Sequence, residues 1–296
     1  MITDINSFIQ AKKFENLSSA SLRAYHSDLS KLNTYCKQYD FKTEEGIHNY
    51  LQYIEETNIY KPNTKIRKLI TIKMFYNYLA KNNLISAQSI PSIKIRKEKH
   101  LPKTLNYSEI KKLLTTAAIS QKTDIKSRDQ IRDFAILDIL ITLSLRICEV
   151  HNLNLNDYNP ENGQIIIFGK NRKERVLFLV NSEDKKIINN YLKIREQYFP
   201  LSTEIAFFLN KYGNRISIYG IENIFFKYRN LAKINSHSTP HYLLHTFATE
   251  LLNNGANLRD IQELLGHSSI TTTEIYLEIS SARKKEVLTK FGVRKF

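Results

Sequence analysis

Apolar positions recur along the first ninety residues at three- and four-residue intervals, as in Leu22, Tyr25, Leu29, Leu32 and Tyr35, and again in Ile66, Leu69, Ile70, Met74, Tyr76 and Leu79. That spacing turns one helix face inward, and no alternating run interrupts it, so residues 1–93 are expected to form a helical domain. Ser19 or Ser21 is the expected cap of the first stripe's helix. Lys65, Arg67, Lys68 and Lys73 fall between the apolar positions of the second. They read as a solvated helix face, with Lys65 and Arg67 also candidates for contact with DNA.

The pattern breaks between Pro91 and Pro102, a charged stretch without periodicity that contains Lys94, Arg96, Lys97 and Lys99. Residues 94–103 are the expected linker, basic enough to track a phosphate backbone. Residues 104–296 then form a second domain. Helical spacing returns over 107–117 and 127–143, and gives way to two short β-rich runs, Gln164 to Phe168 and Arg175 to Leu179, joined by a hairpin-like connection through Lys170 and Lys173. Further helices are expected over 184–197, 217–232, 241–254, 257–265 and 271–276, with a final basic helix over 282–290. The expected fold class is mainly α with a small β-sheet, in two domains.

Composition narrows the function classes. The chain has 296 residues, 42% of them apolar, enough for two cores. Its 44 Lys+Arg against 29 Asp+Glu leave a net charge of +15. Both halves share the excess, which favours a polyanionic partner, double-stranded DNA in the first place. Cys36 and Cys148 lie far apart and outside any metal-ligand spacing, which points to a reducing, bacterial-type cytoplasm and association with the nucleoid. No basic region followed by an apolar run opens the chain, and no apolar stretch is long enough for a bilayer, so neither export nor membrane insertion is expected.

Breaking a phosphodiester without a metal needs a nucleophile, cationic donors on the non-bridging oxygens and an acid for the departing oxygen. Tyr276 suits the first role, nine residues after Gly266-His267 with Thr271-Thr272-Thr273 between. Arg146 offers a guanidinium fork for the phosphate, although a pair with Glu149 is its simpler role. Lys170 or Lys173, on the connection between the strands, is the candidate acid, and spacing does not choose between them. His241 reads as a proton acceptor for the tyrosine, His267 as a donor to a phosphate oxygen and His245 as a structural histidine. His241 and His245 lack the glutamate and third ligand that a zinc site would need.

In this order and at these intervals the segments resemble the tyrosine recombinases, the family of lambda-type integrases and Xer proteins. Ser21 to Leu29 and Lys73 to Leu79 resemble the helical, SAM-like core-binding domain. Arg128 to Glu149, Gly169 to Arg175 and His241 to Tyr276 resemble the α/β catalytic domain. The resemblance favours Lys170 over Lys173 and aligns Arg146, His241, His267 and Tyr276 with catalytic positions. It implies site-specific strand exchange by a homo-tetramer on two duplexes, or by a hetero-tetramer with a paralogue. A 3′-phosphotyrosine and a Holliday junction would form, no cofactor would be needed, and the 282–290 helix would dock on a neighbour.

Two departures stand out. Ser144 occupies a position that is usually glycine, acceptable if the local backbone avoids positive φ. Leu244 replaces the family's second arginine, and losing one such donor typically costs roughly 3–4 kcal/mol, or about 100- to 1000-fold in rate. The sequence therefore supports an active recombinase slowed by Leu244, or a member that assembles on its site without cutting. A type IB topoisomerase shares the chemistry but not the Xer-like first half.

Overall fold

The computed structural model describes residues 1–36, 42–86, 102–118, 125–169, 174–267, 271–274 and 276. The chain divides into two compact units, Met1–Lys99 and His100–Phe296. Lys94, Arg96, Lys97, Lys99, Lys170, Lys173 and the 282–290 helix lie outside the described residues.

The first unit contains α1 (Ile2–Phe14), α2 (Ser19–Tyr35), α3 (Glu44–Glu56) and α4 (Pro62–Lys81). Its core joins Phe8, Leu29, Leu32, Tyr50, Phe75 and Leu79; of the second expected stripe only Tyr76 and Leu79 are buried, because α4 turns Lys68, Ile72 and Phe75 inward and leaves Ile66, Leu69, Ile70 and Met74 partly exposed. The cap of α2 is Ser18, whose Oγ accepts from the Ser21 amide at 3.2 Å, one residue before the expected Ser19; Ser21 supplies the donor. Pro62 opens α4 at a position where its missing N–H costs nothing. Lys68 departs from the expected solvated face. It is 1% exposed and donates to Asp28 at 3.0 Å, because α2 brings that buried carboxylate against α4.

The second unit is built around α6 (Ile125–Thr142). Ala135, Ile136, Leu137, Ile139 and Leu140 are all buried, so this helix is covered on every side. Around it lie α5 (Tyr107–Ala117), α7 (Ile147–Asn152), α8 (Ser182–Ile194), α9 (Ile218–Leu231) and α10 (Pro240–Asn253). An antiparallel sheet runs in the order β1 (Tyr158–Asn159), β2 (Gln164–Phe168), β3 (Glu174–Phe178). Ile166 faces Val176 across the hairpin. Ile165, Ile167 and Leu177 point into the core while Val176 and Phe178 face out, the two-residue alternation of a half-buried strand. The short helices α11 (Leu258–Leu265) and α12 (Thr271–Glu274) follow α10. They close a small satellite core that contains Leu244, Ala248, Leu252, Ile261, Leu265 and Tyr276.

Candidate active site

The pocket starts where α6 ends. Ser144 turns the chain with φ +52°, so the backbone does not avoid the left-handed region, and a residue with a Cβ holds a conformation that suits glycine. Arg146 follows as the cap of α7. Its backbone amide donates to Glu149 Oε2 at 2.8 Å, and its Nη1 donates to Glu149 Oε1 at 3.1 Å and to the Leu265 carbonyl at 2.9 Å. The simpler role read for Arg146, a pair with Glu149, is therefore present. Even so, Nε and Nη2 make no hydrogen bond to a described residue, and a third of the side chain (33%) is open. Half of the guanidinium fork remains available to a phosphate.

Glu149 has a second cation. Arg175 on β3 donates from Nη1 to Oε1 at 2.8 Å and from Nη2 to Oε2 at 2.9 Å, the bidentate geometry that an arginine offers a carboxylate. Burial raises the Glu149 carboxyl, but the hydrogen bonds and charge of Arg175, then those of Arg146, outweigh it and hold it below its ordinary range. The Arg175 side chain lies against Gly266. A Cβ there would stand 2.9 Å from Arg175 Nη1, and Gly266 ends α11 with φ +63°. Only glycine suits both demands.

Gly266 delivers His267. Its backbone is held on both sides by Gln262, whose carbonyl accepts from the His267 amide at 3.0 Å and whose Nε2 donates to the His267 carbonyl at 3.1 Å. His267 Nδ1 lies 2.9 Å from Thr273 Oγ1, which leaves Nε2 for a ligand. Burial, with the positive charges of Arg146 and Arg175, lowers this imidazole to about 4. His267 is neutral at pH 7.

The tyrosine meets a different histidine from the one expected. Tyr276 is 0% exposed, and its hydroxyl lies 2.9 Å from Nδ1 of His245. His241 sits behind His245, ring against ring at 4.4 Å and edge to face. The reason is register: α10 carries both histidines on one face, and the one a turn further along lies level with Tyr276. Burial pushes the Tyr276 phenol up to about 12 against the pull of Arg146. Burial, then His241 and His267, lower His245 to about 4, and burial and Arg146 lower His241 as well. Arg146, His241, His267 and Tyr276 thus share one electrostatic environment.

Leu244 is 3% exposed and packs in the same apolar cluster as Tyr276. Of the candidate DNA contacts, Lys65 donates to the Glu55 carbonyl at 2.6 Å and Arg67 pairs with Asp28. Sequence reasoning passed over His245, Glu149 and Arg175 as site residues. A signal existed for Arg175, which takes the inward parity of Leu177 on its strand and so needs a buried anion. Among the described residues no helix is long and apolar enough to cross a membrane.

Comparison with known proteins gives this geometry a context. The Phage integrase family model matches residues 103–283, and the model of the phage integrase N-terminal SAM-like domain matches residues 5–83. A tyrosine recombinase of Agathobacter rectalis is 33% identical over 99% of this chain and 97% of its own. Tyrosine recombinase XerD of Staphylococcus epidermidis is 32% identical over 99% of both chains. Among solved structures, the XerH recombinase bound to its difH substrate superposes with a TM-score of 0.75 at 24% identity, over 95% of this chain and 82% of that one, a likeness of fold. With both units matched and identity spread along the whole length, the chain belongs to the phage integrase family, as a tyrosine recombinase of Xer type.

Proposed function

We propose that this chain is a site-specific DNA recombinase that breaks and rejoins duplex DNA through a covalent bond to Tyr276. The observation that carries the reading is the convergence of Arg146, His267 and the His245–Tyr276 pair in one pocket. Arg146, with its open guanidinium edge, and His267 Nε2 hold the non-bridging oxygens of the scissile phosphate. Tyr276 Oη attacks phosphorus, its proton leaves toward the His245–His241 pair, and the bond to the 5′ oxygen breaks as Lys170 protonates that oxygen. The 3′-phosphotyrosine conserves the bond energy, so rejoining after strand exchange needs no nucleotide. Four protomers on two duplexes, or two with two copies of a paralogue, carry the exchange through a Holliday junction.

Magnitudes say that the arrangement described is a resting one. Moving the proton from a phenol near 12 to an imidazole near 4 is uphill by roughly 11 kcal/mol before any bond is made. DNA must lift Tyr276 from its apolar cluster and bring a phosphate to Arg146.

The burial of Leu244 beside Tyr276 favours a second reading, a member that assembles on its site and does not cut. A nicked suicide duplex carrying the cognate site separates the two. In the first case wild type yields a covalent adduct that disappears in Tyr276→Phe. In the second, wild type binds the duplex without adduct and Leu244→Arg creates it. Adduct that persists in Tyr276→Phe would remove Tyr276 as the nucleophile and end both readings.

A further inference from the structure

We infer that Arg175 is a positioning residue that keeps the phosphate pocket electropositive where Leu244 leaves it one guanidinium short: by engaging both oxygens of Glu149, it leaves the charge of Arg146 uncompensated. The inference rests on the reading of the pocket as a phosphate site.

The argument is one of charge balance within a buried cluster. Glu149 accepts from Arg146 Nη1 and the Arg146 amide, and from both terminal nitrogens of Arg175. The carboxylate and Arg175 are both largely shielded from water, so their charges are poorly screened. The three histidines that face the pocket, His241, His245 and His267, are all lowered and add no charge at pH 7. Two guanidiniums against one carboxylate leave a single positive charge for the incoming phosphate. Without Arg175, Glu149 would neutralise Arg146 and the pocket would sum to zero.

Geometry points the same way. The side chain of Arg175 runs against Gly266, the residue that presents His267, so its charge lies under the histidine that faces the phosphate. Among the described residues its Nε is buried without a partner, a desolvation cost that a residue needed only to fill space would not carry. In a pocket with two phosphate-binding arginines such a charge would be a refinement. With Leu244 buried in the satellite core, it is half of the supply.

The test is a double-variant cycle on the full chain with two readouts, adduct formation on the suicide duplex and titration of His267 by NMR of 15N-histidine-labelled protein, with thermal melts to check folding. Arg175→Met should reduce the adduct rate roughly 100-fold, and Arg175→Lys should stay within about tenfold of wild type. Arg175→Met combined with Glu149→Gln restores the charge sum, so its rate should recover to within about tenfold of wild type. His267 should rise from about 4 toward 6.5 in Arg175→Met and return to about 4 in the double variant. A folded double variant as slow as Arg175→Met, a Lys variant as slow as the Met variant, or a His267 titration that ignores Arg175→Met would overturn the inference. If wild type itself forms no adduct dependent on Tyr276, the cleavage reading fails and the His267 titration alone decides the role of Arg175.

Discussion

Each unit contains a buried carboxylate gripped by two cations, Asp28 in the first and Glu149 in the second, and these two clusters do different things. In the first unit Asp28 accepts from Arg67, from Lys68 at 3.0 Å and from Thr71 at 3.3 Å. Lys68 lies over the Tyr60 ring at 4.7 Å, and burial lowers its ammonium even though Asp28 opposes the shift. In the second unit Glu149 holds Arg146 and Arg175. The tally of charges is the same. The surroundings differ: the surplus at Asp28 opens to solvent through Arg67, whereas the surplus at Glu149 faces three neutral imidazoles and a phenol. An ion triad takes its meaning from what its excess charge faces, and two arginines leave donors free where a buried lysine has none to offer a ligand.

The largest expected effect would break the comparison at its centre. Arg146→Ala should lower the adduct rate at saturating DNA by about 100- to 1000-fold or more, because it removes a donor that acts on the charge developing at phosphorus. Arg67→Ala should leave that rate within about tenfold and cost about 1–3 kcal/mol of stability instead, since Asp28 loses a partner while remaining buried. Equal losses of rate in the two variants at saturating DNA would erase the distinction between them.

A further buried carboxylate sharpens the point because no cation pairs with it among the described residues. Asp138 on α6 is 4% exposed, its Oδ2 has no hydrogen-bond partner among the described residues, and burial with the nearby Asp184 pushes it to about 7. Its folded value lies above the unfolded 3.8, so the folded state binds the extra proton between the two values. The stability it contributes is present at acid pH and is lost as pH rises through about 7. Asp138→Asn should therefore be more stable than wild type at pH 8, by roughly 2–4 kcal/mol. The gain should shrink steadily between pH 7 and pH 4, measured by urea denaturation at each pH. A gain independent of pH would mean that the Asp138 carboxyl titrates alike in the folded and unfolded states.

How much of this was legible in the sequence differs between the same two regions. In the first unit periodicity marked α2 and α4, although the stripe read on α4 only partly coincides with its buried face, and in the second unit the run from Tyr107 to Ala117 matches α5 to the residue. The hairpin was legible too, with β3 displaced by one residue, since its inward and outward sets alternate. The six-residue α7 and the two-residue β1 were not, because neither is long enough to show a period. At the site, spacing brought Arg146, His267 and Tyr276 to attention. It pointed to His241, whereas His245 meets the phenol, because both occupy one helix face and only the height of Tyr276 against α10 decides. Glu149 was visible as a partner of Arg146 three residues away. Its bond to Arg175 joins a helix to a strand, a contact that no local pattern encodes.

The smallest expected effect concerns the turn that delivers Arg146. Ser144 is buried with φ +52°, and its Oγ has no hydrogen-bond partner among the described residues, so it carries both backbone strain and an unsatisfied hydroxyl. Ser144→Gly relieves both, against the greater freedom that glycine adds to the unfolded chain. The net should be about 1 kcal/mol of stabilisation, a rise of roughly 2–4 °C in Tm. Ser144→Ala relieves only the hydroxyl and should gain less. The difference between the two variants isolates the strain, and the adduct rate of Ser144→Gly then asks whether that strain holds Arg146 against Glu149. An unchanged rate assigns the positioning of Arg146 to its carboxylate, as the comparison of the two clusters requires. A rate that falls while stability rises would give the turn a share of that role.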